Sequence, residues 1–157
     1  HEAFWNAERQ RRADSLSLTR IEVSTLASII DEETANNAEK PMVAGMYLNR
    51  LRIGMPLQAD PTVKFALGNF GARRIYHSFL EVEGPYNTYK HKGLPPGPIR
   101  IPSIMGIDAV LHGVHHGYLY MCAKEDFSGT HNFARTYAQH LANARRYTRA
   151  LNARKIK

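Results

Sequence analysis

The chain is short of several things, and each shortage removes a class of answer. A single cysteine, Cys122, excludes an internal disulfide. It does not fix the compartment, because cytosolic and periplasmic proteins can both lack disulfides. No run of about eighteen apolar residues exists, so no segment reads as a membrane-spanning helix. The start, HEAFWNAERQRR, is polar and helical in character rather than a signal peptide. With His1 in first place the sequence reads as a processed or cloned fragment, and a targeting or anchoring segment would lie upstream of it. Internal repeats, low-complexity tracts and dividing linkers are also missing, so a single domain is expected over residues 1–157.

Acidic residues are scarce relative to basic ones, 14 against 21, which leaves a net charge of +7. Such an excess suits an anionic neighbour: nucleic acid, a lipid surface or cell wall. Much of it sits in the tail, at Arg145, Arg146, Arg149, Arg154, Lys155 and Lys157, where a solvated helix face is the plainer reading. The remainder is ordinary for a globular domain, 43% hydrophobic and 22% charged over 157 residues, enough to bury a core.

The pattern is helical at both ends with a turn-rich middle. Residues 2–14 read as an amphipathic helix. Thr19 and Glu22 form a capping-box pattern that opens a helix over residues 20–35. A second long helix is expected over residues 39–52, with Pro41 in its first turn and Gly54 just past its end. Asp60 followed by Pro61 suggests an N-cap and the first helical position of a further helix. Residues 84–102 hold five prolines and three glycines and must be loop or extended chain. Residues 103–111 suggest a short helix, 118–123 a strand, and 131–134 its partner. In the last helix Tyr137, Leu141, Ala144, Thr148 and Leu151 recur at steps of three and four, a stripe expected to face the core. Helices around a small sheet give an α+β class.

Three acids, Asp31, Glu32 and Glu33, close the capped helix. Glu33 follows Leu26, Ile29 and Ile30 at helical spacing and so shares their apolar face, whereas Asp31 and Glu32 follow smaller or more polar residues. A carboxyl beside bulky hydrocarbon loses hydration, which raises its pKa and suits a general acid at neutral pH. The alternative is a helix-end glutamate that turns outward or pairs with an arginine.

The stretch 26–63, LASIIDEETANNAEKPMVAGMYLNRLRIGMPLQADPTV, closely resembles the endolytic murein transglycosylases, the MltG or YceG-like family. So do Tyr86-Asn-Thr-Tyr89, Gly93-Leu-Pro-Pro-Gly97, Tyr118-Leu-Tyr120 and Gly129-x-His131-x-Phe133, in order along roughly residues 22–140. The resemblance implies a YceG-like, lysozyme-like catalytic domain. It makes Glu33, the second acid of a Glu-x-Glu-Thr pattern, the catalytic residue, and here the first acid of that pattern is Asp31 instead. It also implies peptidoglycan glycan strands as substrate, cell-wall synthesis proteins as partners and no role for nucleic acid. The expected location is the periplasmic face of the inner membrane, reached through an N-terminal anchor that, like a LysM-like domain, is not in this sequence.

On that reading Glu33 protonates the glycosidic oxygen between MurNAc and GlcNAc, and the 6-hydroxyl of the same MurNAc closes a 1,6-anhydro ring. The substrate supplies the nucleophile, so one carboxylate suffices and no cofactor is required. The sugar cleft would be built by Gln58, Asp60, Tyr86, Asn87, Thr88 and Tyr89, through hydrogen bonds and stacking. Asp60 can equally be only a helix cap, and residues 86–89 can serve only to fix the loop. Three rivals stand beside this reading. One is a metal site at His112, His115 and His116, with His131 and His140 elsewhere, whose spacing does not match HExxH. Another is a non-enzymatic module that holds a polyanion or cell wall. The third is a lysozyme-type muramidase with Asp60 as second carboxylate.

Overall fold

A computed structural model describes residues 4–68 and 80–154. The order of elements is α1 (Ala7–Ser15), α2 (Arg20–Glu33), α3 (Lys40–Ile53), α4 (Asp60–Leu67), α5 (Ile104–Leu111), β1 (Tyr120–Ala123), β2 (His131–Ala134) and α6 (Tyr137–Ala153). This is the expected α+β architecture, helices around one antiparallel ribbon in which Tyr120 faces Ala134 and Ala123 faces His131.

Local chemistry sets most of the boundaries. The Thr19 hydroxyl accepts from the Glu22 backbone N–H and the Glu22 carboxylate accepts from that of Thr19, closing both ends of the capping box. Pro41 sits in the first turn of α3, and Gly54 ends that helix in the left-handed region at φ 71°. The first helix begins later than expected, at Ala7, because the Asn6 side chain caps it by accepting from Arg9 N–H.

The centre of the molecule is α2, where Val23, Leu26, Ala27, Ile29 and Ile30 are all sealed from solvent. α3 and α5 pack against it, and α1 and α4 cover other sides. Because it is enclosed on several faces, its polar side is buried as well: Thr25 and Ser28 are inaccessible. Each hydroxyl bonds a backbone carbonyl of the preceding turn, and the Ser28 hydroxyl also accepts from Ile99 N–H across the core. Gly106 permits the close approach of α5, since a Cβ there would stand 2.6 Å from an Asp31 carboxylate oxygen.

Two sequence expectations are corrected. Asp60 is not the N-cap of α4: Ala59 holds that position without a side-chain bond, and Asp60 is already helical. The apolar stripe of α6 does not face the core. Tyr137 is 59% exposed, Leu141 36% and Thr148 is exposed as well. The helix covers only the two-stranded ribbon, which is too narrow to bury a full stripe. Its inner face is set by rings instead, with His140 stacked on Tyr120 and Tyr147 against Phe127. Arg145, Arg146, Arg149 and Arg154 of the basic tail are exposed, with the Arg154 guanidinium lying over the Phe127 ring, and Lys155 and Lys157 lie outside the described residues.

Candidate active site

The C-terminal end of α2 opens onto a cleft of about 450 Å³, walled by α3, the start of α4, β1 and α6. A second hollow of about 330 Å³ continues it beneath the β1–β2 connection. Glu33 borders both. Part of the residue stays open to the cleft, yet protein surrounds its carboxyl closely enough that burial is the strongest influence on it. Burial, then the negative charge of Asp60, raise the pKa from its ordinary 4.5 to about 7. A hydrogen bond from the Tyr47 hydroxyl and the positive charge of Lys64 offset part of that rise. Glu33 therefore carries its proton into the neutral range, as a general acid must.

The neighbouring acids are spent otherwise. Asp31, with a side chain only 3% exposed, is paired with Lys40 at 2.7 Å and accepts from both the backbone N–H and the hydroxyl of Ser103. Glu32 lies at the surface, 3.3 Å from Arg100.

Of the residues expected to form the cleft, Gln58, Asp60 and Tyr89 line it together with Glu33. The Tyr89 hydroxyl donates to Asp60 at 2.5 Å, which aims the carboxylate and leaves the phenol hard to ionise, its pKa pushed far up by burial and then by Asp60. Gln58 is held at a positive φ of 50°, with its backbone N–H donating to Thr88 O.

Asn87, Thr88 and Tyr86 are not brought to the cleft. Asn87 is sealed, donating to the carbonyls of Leu80 and Val82 and accepting from Tyr89 N–H. Thr88 accepts from Ala59 N–H and shares a hydrogen bond with the Thr62 hydroxyl. Tyr86 packs on Phe65, ring centroids 4.8 Å apart. These three fix the Pro/Gly loop and so hold Tyr89 and Gln58 in place.

Several cleft residues escaped the sequence reading. Tyr47 and Arg50 are one turn apart on α3 and buried. Arg50 donates to the carbonyls of Leu119, Pro56 and Leu57, tying β1 to the chain before α4. Tyr120, Tyr137 and His140 form an aromatic wall opposite, with His140 Nδ1 buried and unpartnered among the described residues. His131, in the sequence a member of the Gly129-x-His131-x-Phe133 pattern and a candidate metal ligand, borders both hollows. The spacing of Tyr47 and Arg50 was the one available signal, two polar-tipped side chains three residues apart and so on one face of α3.

The histidine run has a structural use. His116 Nδ1 accepts from Tyr118 N–H, so Nε2 carries the hydrogen and donates to Met42 O, while His112 and His115 are exposed. No group of three potential metal ligands occurs among the described residues.

Comparison with known proteins gives one consistent answer. An endolytic murein transglycosylase of Bacillus subtilis is 40% identical over 128 residues, 82% of this chain and 35% of the relative. One from Streptococcus pneumoniae is 33% identical over 113 residues, 69% of this chain and 20% of the relative. The chain thus spans about a third and a fifth of these relatives' lengths. A crystallographically solved yceG-like protein of Listeria monocytogenes superposes with a TM-score of 0.79 at 35% identity, over 87% of this chain and 44% of that one. The family model described as YceG-like matches residues 1–146, and this chain belongs to the YceG-like family.

Proposed function

We propose that this domain is a lytic transglycosylase that cuts peptidoglycan glycan strands, with Glu33 as the acid. The observation that carries the reading is a carboxyl in a cleft, without an ion-pair partner among the described residues, whose pKa stands at about 7. Protonation of the glycosidic oxygen by Glu33 makes the leaving sugar neutral as the bond to the anomeric carbon breaks. The developing positive charge on the ring is met by the carboxylate that Glu33 has become and by Asp60 nearby. The 6-hydroxyl of the MurNAc then attacks the anomeric carbon and closes a 1,6-anhydro ring, its geometry supplied by the ring to which it is attached. In the simplest scheme Glu33 takes back the hydroxyl's proton and is reset. No step calls for a metal or an organic cofactor.

Because Glu33 stands where two hollows meet, a strand can extend to either side of it, which supports cutting within a chain rather than at its end. The same reading puts the domain on the periplasmic face of the inner membrane, where glycan strands are assembled and remodelled, tethered by an N-terminal segment and working alongside cell-wall synthesis proteins.

A second reading, a muramidase, is favoured by one observation: Asp60 shares the cleft with Glu33 and its charge acts on it. A second carboxylate in that place could activate water or attack the sugar. Digestion of purified uncrosslinked glycan strands, followed by mass spectrometry of the fragments, separates the two. Transglycosylation leaves 1,6-anhydro ends with no new reducing end. Fragments heavier by one water at each new MurNAc end would establish hydrolysis and overturn the proposal.

A further inference from the structure

Four residues border both hollows, Glu33, Ala123, His131 and Tyr147, and among them Glu33 brings a carboxyl and His131 an imidazole. His131 opens β2, opposite Ala123 of β1, and its ring is not free to turn. Glu39, which precedes α3 at its N-cap position and is 9% exposed, spends both carboxylate oxygens on this one residue. Oε1 accepts from the His131 backbone N–H at 2.5 Å and Oε2 faces Nδ1 at 2.9 Å.

A carboxylate has no proton to give, so Nδ1 must donate to it. In the neutral imidazole that assigns the tautomer: Nδ1 carries the hydrogen and Nε2 keeps a lone pair. Nε2 has no hydrogen-bond partner among the described residues, and it is not among the polar atoms sealed from solvent without one. One edge of the ring is therefore clamped inside the protein while the other is presented to the cleft that Glu33 borders. A purely structural tie between α3 and β2 would need only the bond to the backbone N–H. It does not explain an imidazole oriented by a buried carboxylate with its basic nitrogen left open.

We propose that His131, oriented by Glu39, is the second proton-handling group of the site, its Nε2 accepting the proton of the sugar hydroxyl that attacks the anomeric carbon. The proposal rests on the transglycosylase reading and divides the work that the simplest scheme gives to Glu33 alone. The bond between the anomeric carbon and the bridging oxygen breaks as Glu33 gives its proton to that oxygen. The 6-hydroxyl oxygen bonds to the anomeric carbon and its proton passes to Nε2. One proton then returns from the imidazolium through water to the Glu33 carboxylate, and both groups are reset with no net gain or loss. Glu39 touches no substrate; it is a positioning residue that orients the ring and fixes its tautomer.

The test uses the full chain and uncrosslinked glycan strands. His131→Asn places an amide N–H where Nδ1–H was, so the bond to Glu39 survives while Nε2 is lost. Glu39→Gln keeps the volume of both side chains but offers Nδ1 a donor, which forces the hydrogen onto Nε2. Each variant is expected to melt within a few degrees of the parent, to hold KM within about threefold, and to lose about 100-fold or more in kcat. Added imidazole should recover part of the activity of His131→Ala, a response that a structural role would not give. A kcat within about threefold of the parent in either folded variant overturns the proposal. The failure of the underlying reading looks different: the parent would not make anhydro ends, or Glu33→Gln would still make them.

Discussion

Asp31 and Glu33 are two carboxylates two residues apart at the same end of the same helix, and the protein treats them in opposite ways. Both are drawn out of water. Asp31 is met by the Lys40 ammonium and by two donors from Ser103, so its charge is matched where it lies. Glu33 is met by hydrocarbon, one tyrosine hydroxyl and a second negative charge that the charge of Lys64 offsets only in part, so its charged form is penalised and its pKa rises to about 7. Burial alone does not make an acid reactive; what matters is whether the fold supplies a counter-charge. Glu32 completes the series, at the surface beside Arg100.

The largest expected effect lies on the Glu33 side of that comparison. Glu33→Gln keeps shape and hydrogen bonding but removes the proton, and strand cleavage should fall by about 1000-fold or more. Circular dichroism should show an unchanged fold. On the Asp31 side the loss is in stability. Asp31→Asn leaves the Lys40 ammonium buried without its partner, a cost of about 3 kcal/mol or more by urea denaturation, while the folded fraction keeps most of its activity. A stable, inactive Asp31→Asn would reverse the two roles.

The pH dependence of stability sharpens the same contrast. For Glu33 the pKa is about 7 in the folded chain against an ordinary 4.5, so between those values the native state holds a proton that the unfolded state has released. Its contribution is fully favourable below about pH 4.5 and is lost as pH rises to 7 and beyond. The accumulated penalty is up to about 3 kcal/mol. Glu33→Gln removes it, and should therefore melt above the parent at pH 8 and level with it near pH 4. An equal melting temperature at pH 8 would mean that the carboxyl is solvated after all. An acid held ready for catalysis weakens the fold that holds it.

How much of this could be read from the sequence follows the range of the interactions involved. The capping box at Thr19 and Glu22, Pro41 in the first turn and Gly54 at the end of α3 were legible because each is settled within a few residues. The apolar face of Glu33 was legible for the same reason. That face did not distinguish it from Asp31, however, because α5 buries the polar side of α2 as well. The partners that do distinguish the two, Lys40 and Ser103, come from a different helix and from a loop end 72 residues along. Asp60 shows the same limit. An Asp-Pro pair looks like a cap, but Tyr89, 29 residues away, takes the carboxylate and turns it to the cleft. The pairing of Glu39 with His131 spans 92 residues, and no local pattern announces it.

The smallest expected effect tests whether the environment of Glu33 has been assigned to the right neighbours. Asp60 raises its pKa by charge, and the Tyr47 hydroxyl lowers it by a hydrogen bond to the carboxylate. Asp60→Asn removes a like charge, so the proton should leave Glu33 at a lower pH. Tyr47→Phe removes a stabilising donor from the charged form, so the proton should leave at a higher pH. If Glu33 must be protonated at the start of the reaction, the alkaline limb of kcat/KM follows its pKa in the free enzyme. That limb should shift down in Asp60→Asn and up in Tyr47→Phe, with the larger displacement at Asp60. The position of the limb separates this from any loss of sugar binding, because a missing hydrogen bond to substrate lowers the whole profile without moving it along the pH axis. Carboxyl titration of Glu33 followed by carbon-13 NMR gives the same two displacements without substrate. Movement in the same direction for both variants would mean that the limb belongs to another group, and the acid of the cleft would have to be sought elsewhere than at the end of α2.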